Sequence, residues 1–188
     1  MNPIIIFASR IQNMLADDLK NTIRDIHDFP KQGIVFKDIT PVLENNELCN
    51  AIVAEFENSL KGIAFDAIAG IESRGFLFGF LLAQKMGKPF ILIRKAGKLP
   101  GKTIGAEYAL EYGTAKIEMQ EGSVRKGWNV LIHDDLLATG GTTAAAAELI
   151  QKQSGNVAGF AFVIELDFLR GREKINGLSS QITSLIHF

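Results

Sequence analysis

The chain has 188 residues, 47% of them hydrophobic, and 20 Lys+Arg against 21 Asp+Glu leave a net charge of −1. That apolar share excludes a disordered chain, the length fits one domain over 1–188, and the charge balance argues against a surface built to neutralise nucleic-acid phosphates. One cysteine, Cys49, excludes an intramolecular disulfide framework and a cysteine-rich zinc site, and it suits a reducing, cytoplasmic setting. The early apolar run over 4–8 is far short of the ~20 residues of a membrane span and has no basic residue before it, so neither a membrane partner nor a signal peptide is expected.

Taken in chain order, Leu15, Leu19, Ile23 and Ile26 recur every three to four residues and predict an amphipathic helix. Asp17, Asp18, Asp25 and Asp28 read as its solvated face, and Phe29-Pro30 as its stop, with Phe29 in the core. Residues 31–43 read as irregular. Leu48, Ile52, Phe56 and Leu60 predict a second helix.

From Phe65 an alternation sets in. An apolar run to Ile71 leads into the polar knot Glu72-Ser73-Arg74-Gly75, an apolar helix over 76–86, and a strand over 89–93. Residues 96–120 differ: a Gly-rich polar loop precedes two short strands, 107–111 and 115–119, around a turn at Tyr112-Gly113. Val130-Leu131-Ile132 then leads into Asp134-Asp135, Thr139-Gly140-Gly141 and an Ala-rich helix over 142–153, with a last strand over 157–166. Continuous apolar strands alternating with helices predict an α/β fold, a parallel sheet of about five strands covered on both faces. In such sheets ligands bind beyond the carboxyl ends of the strands, so the loops 72–75, 94–102 and 134–143 are expected to converge on one crevice.

The segment Asp134 to Thr143 carries the clearest chemistry. Two carboxylates at a strand end accept hydrogen bonds from hydroxyls. The glycines that follow let backbone N–H groups approach an anion, with threonine hydroxyls and a helix N-terminus behind them. A diol on one side and a phosphate on the other describe a ribose 5-phosphate. Two nucleotide motifs fail. Gly97-Lys98-Leu99-Pro100-Gly101-Lys102-Thr103 has three residues between its glycines where a P-loop needs four, and no G-x-G-x-x-G follows a strand. His133 reads as a partly buried, hydrogen-bonded side chain, and His27 and His187 lie too far apart in sequence to suggest a metal cluster.

Asp134-Asp135 through Thr143 resembles the 5-phosphoribosyl 1-diphosphate (PRPP) signature of the type I phosphoribosyltransferases. Four further segments, Asp28 to Pro41, Gly70 to Phe76, Arg94 to Gly101 and Leu110 to Gly113, resemble the adenine-specific members in particular, in order from about Ile23 to Lys174. The resemblance implies the type I fold, with flanking helices, an antiparallel flap with a flexible loop over about 94–120, and a small N-terminal hood over about 1–45. It implies the reaction of adenine with PRPP to give AMP and pyrophosphate, with Mg²⁺ carried by PRPP, no metal held directly by the protein, and a homodimer.

The roles implied are these. Asp134 and Asp135 hold the ribose hydroxyls and favour the positive charge that develops on the sugar, which requires the chain to turn between them. Ala138, Thr139, Gly140, Gly141 and Thr142 cradle the 5′-phosphate. Glu72, Ser73 and Arg74 serve the pyrophosphate, together with Arg94, Lys95 and Lys98 on a closing lid that excludes water. Glu111 accepts the proton of the purine five-membered ring at N7 as N9 attacks. Phe36 stacks on the base, and the backbones of Val35 and Lys37 read its edge; Lys37 stands where the family often has Arg, a change that spares backbone contacts. Two alternatives are another base (hypoxanthine, guanine or orotate) and a PRPP-sensing regulator without transferase activity. The neutral charge, Glu111 and the cationic lid weigh against the regulator.

Overall fold

The computed structural model describes residues 3–109 and 113–188, with side chains from Asn13 onward. The chain divides into two compact units, residues 1–55 and 56–188.

In the first unit, helix α1 (Pro3–Thr22) buries Leu15 and Leu19. It ends four residues earlier than the periodicity predicts, with the Thr22 hydroxyl donating to the Asp18 carbonyl at 2.7 Å. Strands β1 (Arg24–His27) and β2 (Val35–Asp38) form an antiparallel pair, so part of the stretch expected to be irregular is strand, and α2 (Thr40–Leu43) follows it. Charge explains the change of period. Arg24 pairs with Asp38 at 2.7 Å and Lys37 with Asp25 at 2.6 Å, contacts that a strand pair brings side by side and a continuous helix does not. Asp25 thus lies on a strand, and Ile26, expected on the helix's buried face, is exposed. Asp28, at φ +58°, accepts the Gly33 N–H at 2.7 Å and closes the connection. Phe29 is 51% exposed, not core; its ring meets Phe36 edge to face at 5.2 Å. Helix α3 (Asn46–Ser59) follows the predicted four-residue repeat.

The second unit is built on a seven-stranded sheet. Its strands are β3 (Ala67–Ile71), β4 (Phe90–Lys95), β5 (Thr103–Ala109), β6 (Thr114–Gln120), β7 (Asn129–Leu137), β8 (Asn156–Glu165) and β9 (Ile182–His187), in the order β5-β6-β4-β3-β7-β8-β9. Five strands, β4, β3, β7, β8 and β9, run parallel; β5 and β6 add an antiparallel flap. The fifth parallel strand, β9, lies in a stretch that carries no sequence reading.

Helices α4 (Gly75–Lys85) and α5 (Gly141–Lys152) cover opposite faces. Ile132 joins Ala145, Ala146 and Leu149 of α5 in one buried cluster, whereas His133, the next residue, sits where a side chain on Gly79 of α4 would touch its ring. Alternation along one strand thus serves two cores. Thr103 opens a strand rather than a helix, which disposes of the P-loop spacing. Among the described residues, no helix is long and apolar enough to cross a membrane.

Candidate active site

The parallel strands deliver their carboxyl ends to one edge, with β3 between β4 and β7. The loops that leave this edge are joined by direct contacts. Arg74 Nε lies 2.9 Å from Asp135 Oδ2, linking the loop after β3 to β7. Glu72 accepts from Arg94 Nε at 3.1 Å and from the Lys95 N–H at 3.0 Å, linking the same loop to the end of β4. Arg94 also donates to the Lys98 carbonyl at 2.9 Å. Glu72 and Arg94, both expected at the pyrophosphate, are therefore engaged with each other. Burial works against the Glu72 charge, but Arg94 and the Lys95 amide hold its carboxyl below the ordinary range. Lys95, Lys98 and Ser73 are exposed at the rim.

The acidic pair does not end its strand. β7 continues through Leu137, so Asp134 and Asp135 sit in extended chain with no turn between them. Asp135 is buried beside Arg74. Asp134 is half-buried, and its Oδ1 accepts the Asp135 N–H at 2.9 Å. A side chain at Gly75 would meet Asp134 Oδ1 at 2.8 Å, so the start of α4 fits against this carboxylate only because Gly75 has none. Burial pushes the Asp134 carboxyl well up, and the neighbouring Asp135 charge adds to the rise. Burial also raises Asp135, while the Arg74 guanidinium holds it down. His133, expected to be partly buried and hydrogen-bonded, is instead fully buried with no hydrogen-bond partner among the described residues on either ring nitrogen, and burial lowers it to about 4, so it stays neutral at pH 7.

After β7, residues 138–140 bend and α5 begins at Gly141, which puts Thr142 in its first turn. The helix N-cap is Gly140, at φ +74° and without a side chain to bond the free amides. The N–H groups of the first turn have no intrahelical acceptor and suit an anion. The bend is held from behind. A side chain on Gly140 would lie 2.7 Å from the Gly171 carbonyl, and one on Gly171 would strike the Ala138 carbonyl. Gly171 opens α6 (Gly171–Ile175), which the sequence reading passed over.

The loop after β4 is anchored to β6. The Gly97 N–H donates to Glu118 Oε2 at 3.1 Å, the Ala96 N–H to the Lys116 carbonyl at 3.1 Å, and Gln120 to the Pro100 carbonyl at 3.0 Å. Glu118, another residue the sequence did not single out, is held below its ordinary range by that Gly97 amide and by Lys116. Glu111 and Tyr112 lie outside the described residues.

In the first unit, Val35 is exposed, Phe36 is half-buried against Phe29, and the Lys37 ammonium is held by Asp25. Among the described residues, β2 pairs with β1 alone.

His187 is brought into a group with Glu165 and Asp167, three ligand-type side chains within 4.8 Å of one another. Their chemistry favours no cation, because Glu165 already accepts from Arg172 at 2.9 Å and from Ser184 at 2.6 Å. At the acidic pair, Asp135 is neutralised by Arg74 and Asp134 is bonded to a backbone amide. These residues fit a divalent cation that arrives with a phosphorylated ligand and keeps its own waters, rather than one held in a protein cage.

Residues 39–186 match the phosphoribosyl transferase domain family. An adenine phosphoribosyltransferase of Cytophaga hutchinsonii is 50% identical over 177 residues, covering 94% of this chain and 98% of that protein. The crystal structure of adenine phosphoribosyltransferase from Thermoanaerobacter pseudethanolicus superimposes with a TM-score of 0.89 at 48% identity, over 92% of this chain and 99% of that one. The Saccharomyces cerevisiae enzyme, complexed with an imino-altritol bisphosphate and adenine, gives 0.84 at 40% identity over 92% and 99%. An identity of one half over nearly the whole of both chains, on the same fold, places this chain in the adenine phosphoribosyltransferase branch of the phosphoribosyltransferase family.

Proposed function

We propose that this chain transfers the 5-phosphoribosyl group of PRPP to adenine, giving AMP and pyrophosphate in purine salvage. The observation that carries the reading is the joined edge of the sheet: Asp135 of the acidic pair lies within hydrogen-bond reach of Arg74, and the strand that carries the pair runs on into an uncapped glycine bend at the start of α5. The bond from C1′ to the pyrophosphate oxygen breaks and that oxygen keeps the electron pair, while adenine N9 forms the new bond to C1′.

The amides of 138–142 receive the 5′-phosphate. Asp134 accepts from the ribose hydroxyls and stabilises the positive charge that grows on the sugar. Because β7 does not turn between them, Asp135 acts through its ion pair with Arg74 at the pyrophosphate side, and Asp134 is the carboxylate nearer the ribose. The loop 72–74 supplies backbone donors and Arg74 to the leaving group, with Arg94, Lys95 and Lys98 closing over it. Glu111 takes the ring proton at N7. Mg²⁺ bound to PRPP supplies charge neutralisation at the pyrophosphate. Phe36 stacks on adenine, and the backbone of Val35 to Lys37 reads its edge.

We read the chain as one catalytic domain with the segment 1–45 as its hood, active as a cytoplasmic homodimer. The dimer reading rests on exposed apolar residues: Leu77, Phe80 and Leu81 of α4 are 41%, 50% and 46% exposed, and Leu92 of β4 is 40% exposed.

Kinetics of two variants test the assignment. Replacing Asp134 and Asp135 together by Asn lowers kcat by about 10²–10³-fold with the fold retained. Glu111→Gln lowers kcat by about 10²-fold with little change in PRPP affinity. Near-normal rates in both variants contradict the mechanism.

A further inference from the structure

We infer that Lys174, a residue with no role so far, contacts the 5′-phosphate of PRPP and AMP as a charged second wall to the glycine bend. The inference rests on the transferase reading above. A side chain built on Gly141, the first residue of α5, would lie 3.6 Å from the Ala109 carbonyl and from the Tyr108 ring and 3.7 Å from the Lys174 ammonium. The start of α5 and this ammonium therefore border the same small volume. Lys174 is exposed, and its Nζ forms no ion pair with any described carboxylate. Bare amides offer a phosphate dianion partial charges alone; an ammonium at the mouth adds a full positive charge and a charge-assisted hydrogen bond.

The position of Lys174 is built. Glu165, 4% exposed at the end of β8, accepts from Arg172 Nε at 2.9 Å and Nη2 at 2.5 Å, and from the Ser184 hydroxyl at 2.6 Å. Arg172 also donates to the Ile182 carbonyl at 3.2 Å. This clamp fixes the segment 171–175 to β8 and β9. Gly171, at its start, touches the backbone of the phosphate bend from behind. Arg172 and Glu165 are positioning residues, and Lys174 is the group they deliver.

The test compares the full-length wild type with Lys174→Gln and Lys174→Arg in PRPP kinetics and in calorimetric titration with ribose 5-phosphate. Lys174→Gln is expected to raise the KM for PRPP and the Kd for ribose 5-phosphate about tenfold, with a smaller change in kcat, an unchanged KM for adenine and an unchanged Tm. Lys174→Arg is expected to recover most of the phosphate affinity. Ribose 5-phosphate affinity and PRPP KM equal to wild type in Lys174→Gln overturn the role of Lys174. A wild type that neither forms AMP nor binds ribose 5-phosphate instead overturns the transferase reading.

Discussion

Asp134 and Asp135 are neighbours in one extended strand, and each meets a different environment. Asp135 has a guanidinium at 2.9 Å; Asp134 has a backbone amide and the edge of Gly75. The cost of holding Asp134 there can be read from stability. Its carboxyl titrates above the ordinary 3.8 in the folded protein, so the folded state retains a proton that the unfolded state has lost. The favourable contribution of that proton is complete below 3.8 and disappears as pH rises through the raised value. Asp134→Asn should therefore raise Tm at pH 8 while it lowers activity, and the gain should vanish below pH 3.8. Thermal melts across that range check it; a variant less stable than wild type at pH 8 contradicts the burial argument. The types of these residues were legible in the sequence, because an acidic pair followed by glycines has few structural uses. Their division of labour was not: it depends on β7 staying straight and on Arg74 arriving from a loop sixty residues earlier.

At the scale of elements, the bend after β7 depends on two backbones touching. Gly140 combines a left-handed conformation with a carbonyl 2.7 Å from where its side chain would be, so Gly140→Ala should cost about 1–3 kcal/mol and raise the PRPP KM more than the adenine KM. Denaturant melts and initial rates measure both; equal shifts in the two KM values contradict a local effect on the phosphate bend. The glycines were visible in the sequence, but the partner that makes Gly140 necessary was not, since Gly171 sits thirty residues on behind an intervening strand. The same blindness to distant pairing explains β1 and β2. Leu15, Leu19, Ile23 and Ile26 keep a helical period, yet the ion pairs Arg24–Asp38 and Lys37–Asp25 reward a strand pair over the last turn. Local periodicity carries the long, strongly apolar elements, such as α4 and β3, and fails where a few cross-strand charges decide.

For the whole molecule, the exposed face of Leu77, Phe80 and Leu81 sets the expected assembly. Phe80→Glu should convert a dimer to a monomer in sedimentation, and a wild type that sediments as a monomer at micromolar concentration contradicts the dimer reading. The succession of strands and helices made the α/β architecture readable in advance, because each buried parallel strand is a continuous apolar run. β9 escaped notice because its residues Thr183 and Ser184 interrupt that run at the sheet edge. The central claim is that this sheet edge joins a phosphoribosyl group to adenine. It is tested most directly by supplying PRPP and Mg²⁺ with adenine, hypoxanthine, guanine or orotate in turn and measuring nucleotide and pyrophosphate. AMP and pyrophosphate in equal amounts, with the other bases slower by about 10²-fold or more, is the expected result; faster turnover of another base, or binding of PRPP with no nucleotide formed, would contradict the account.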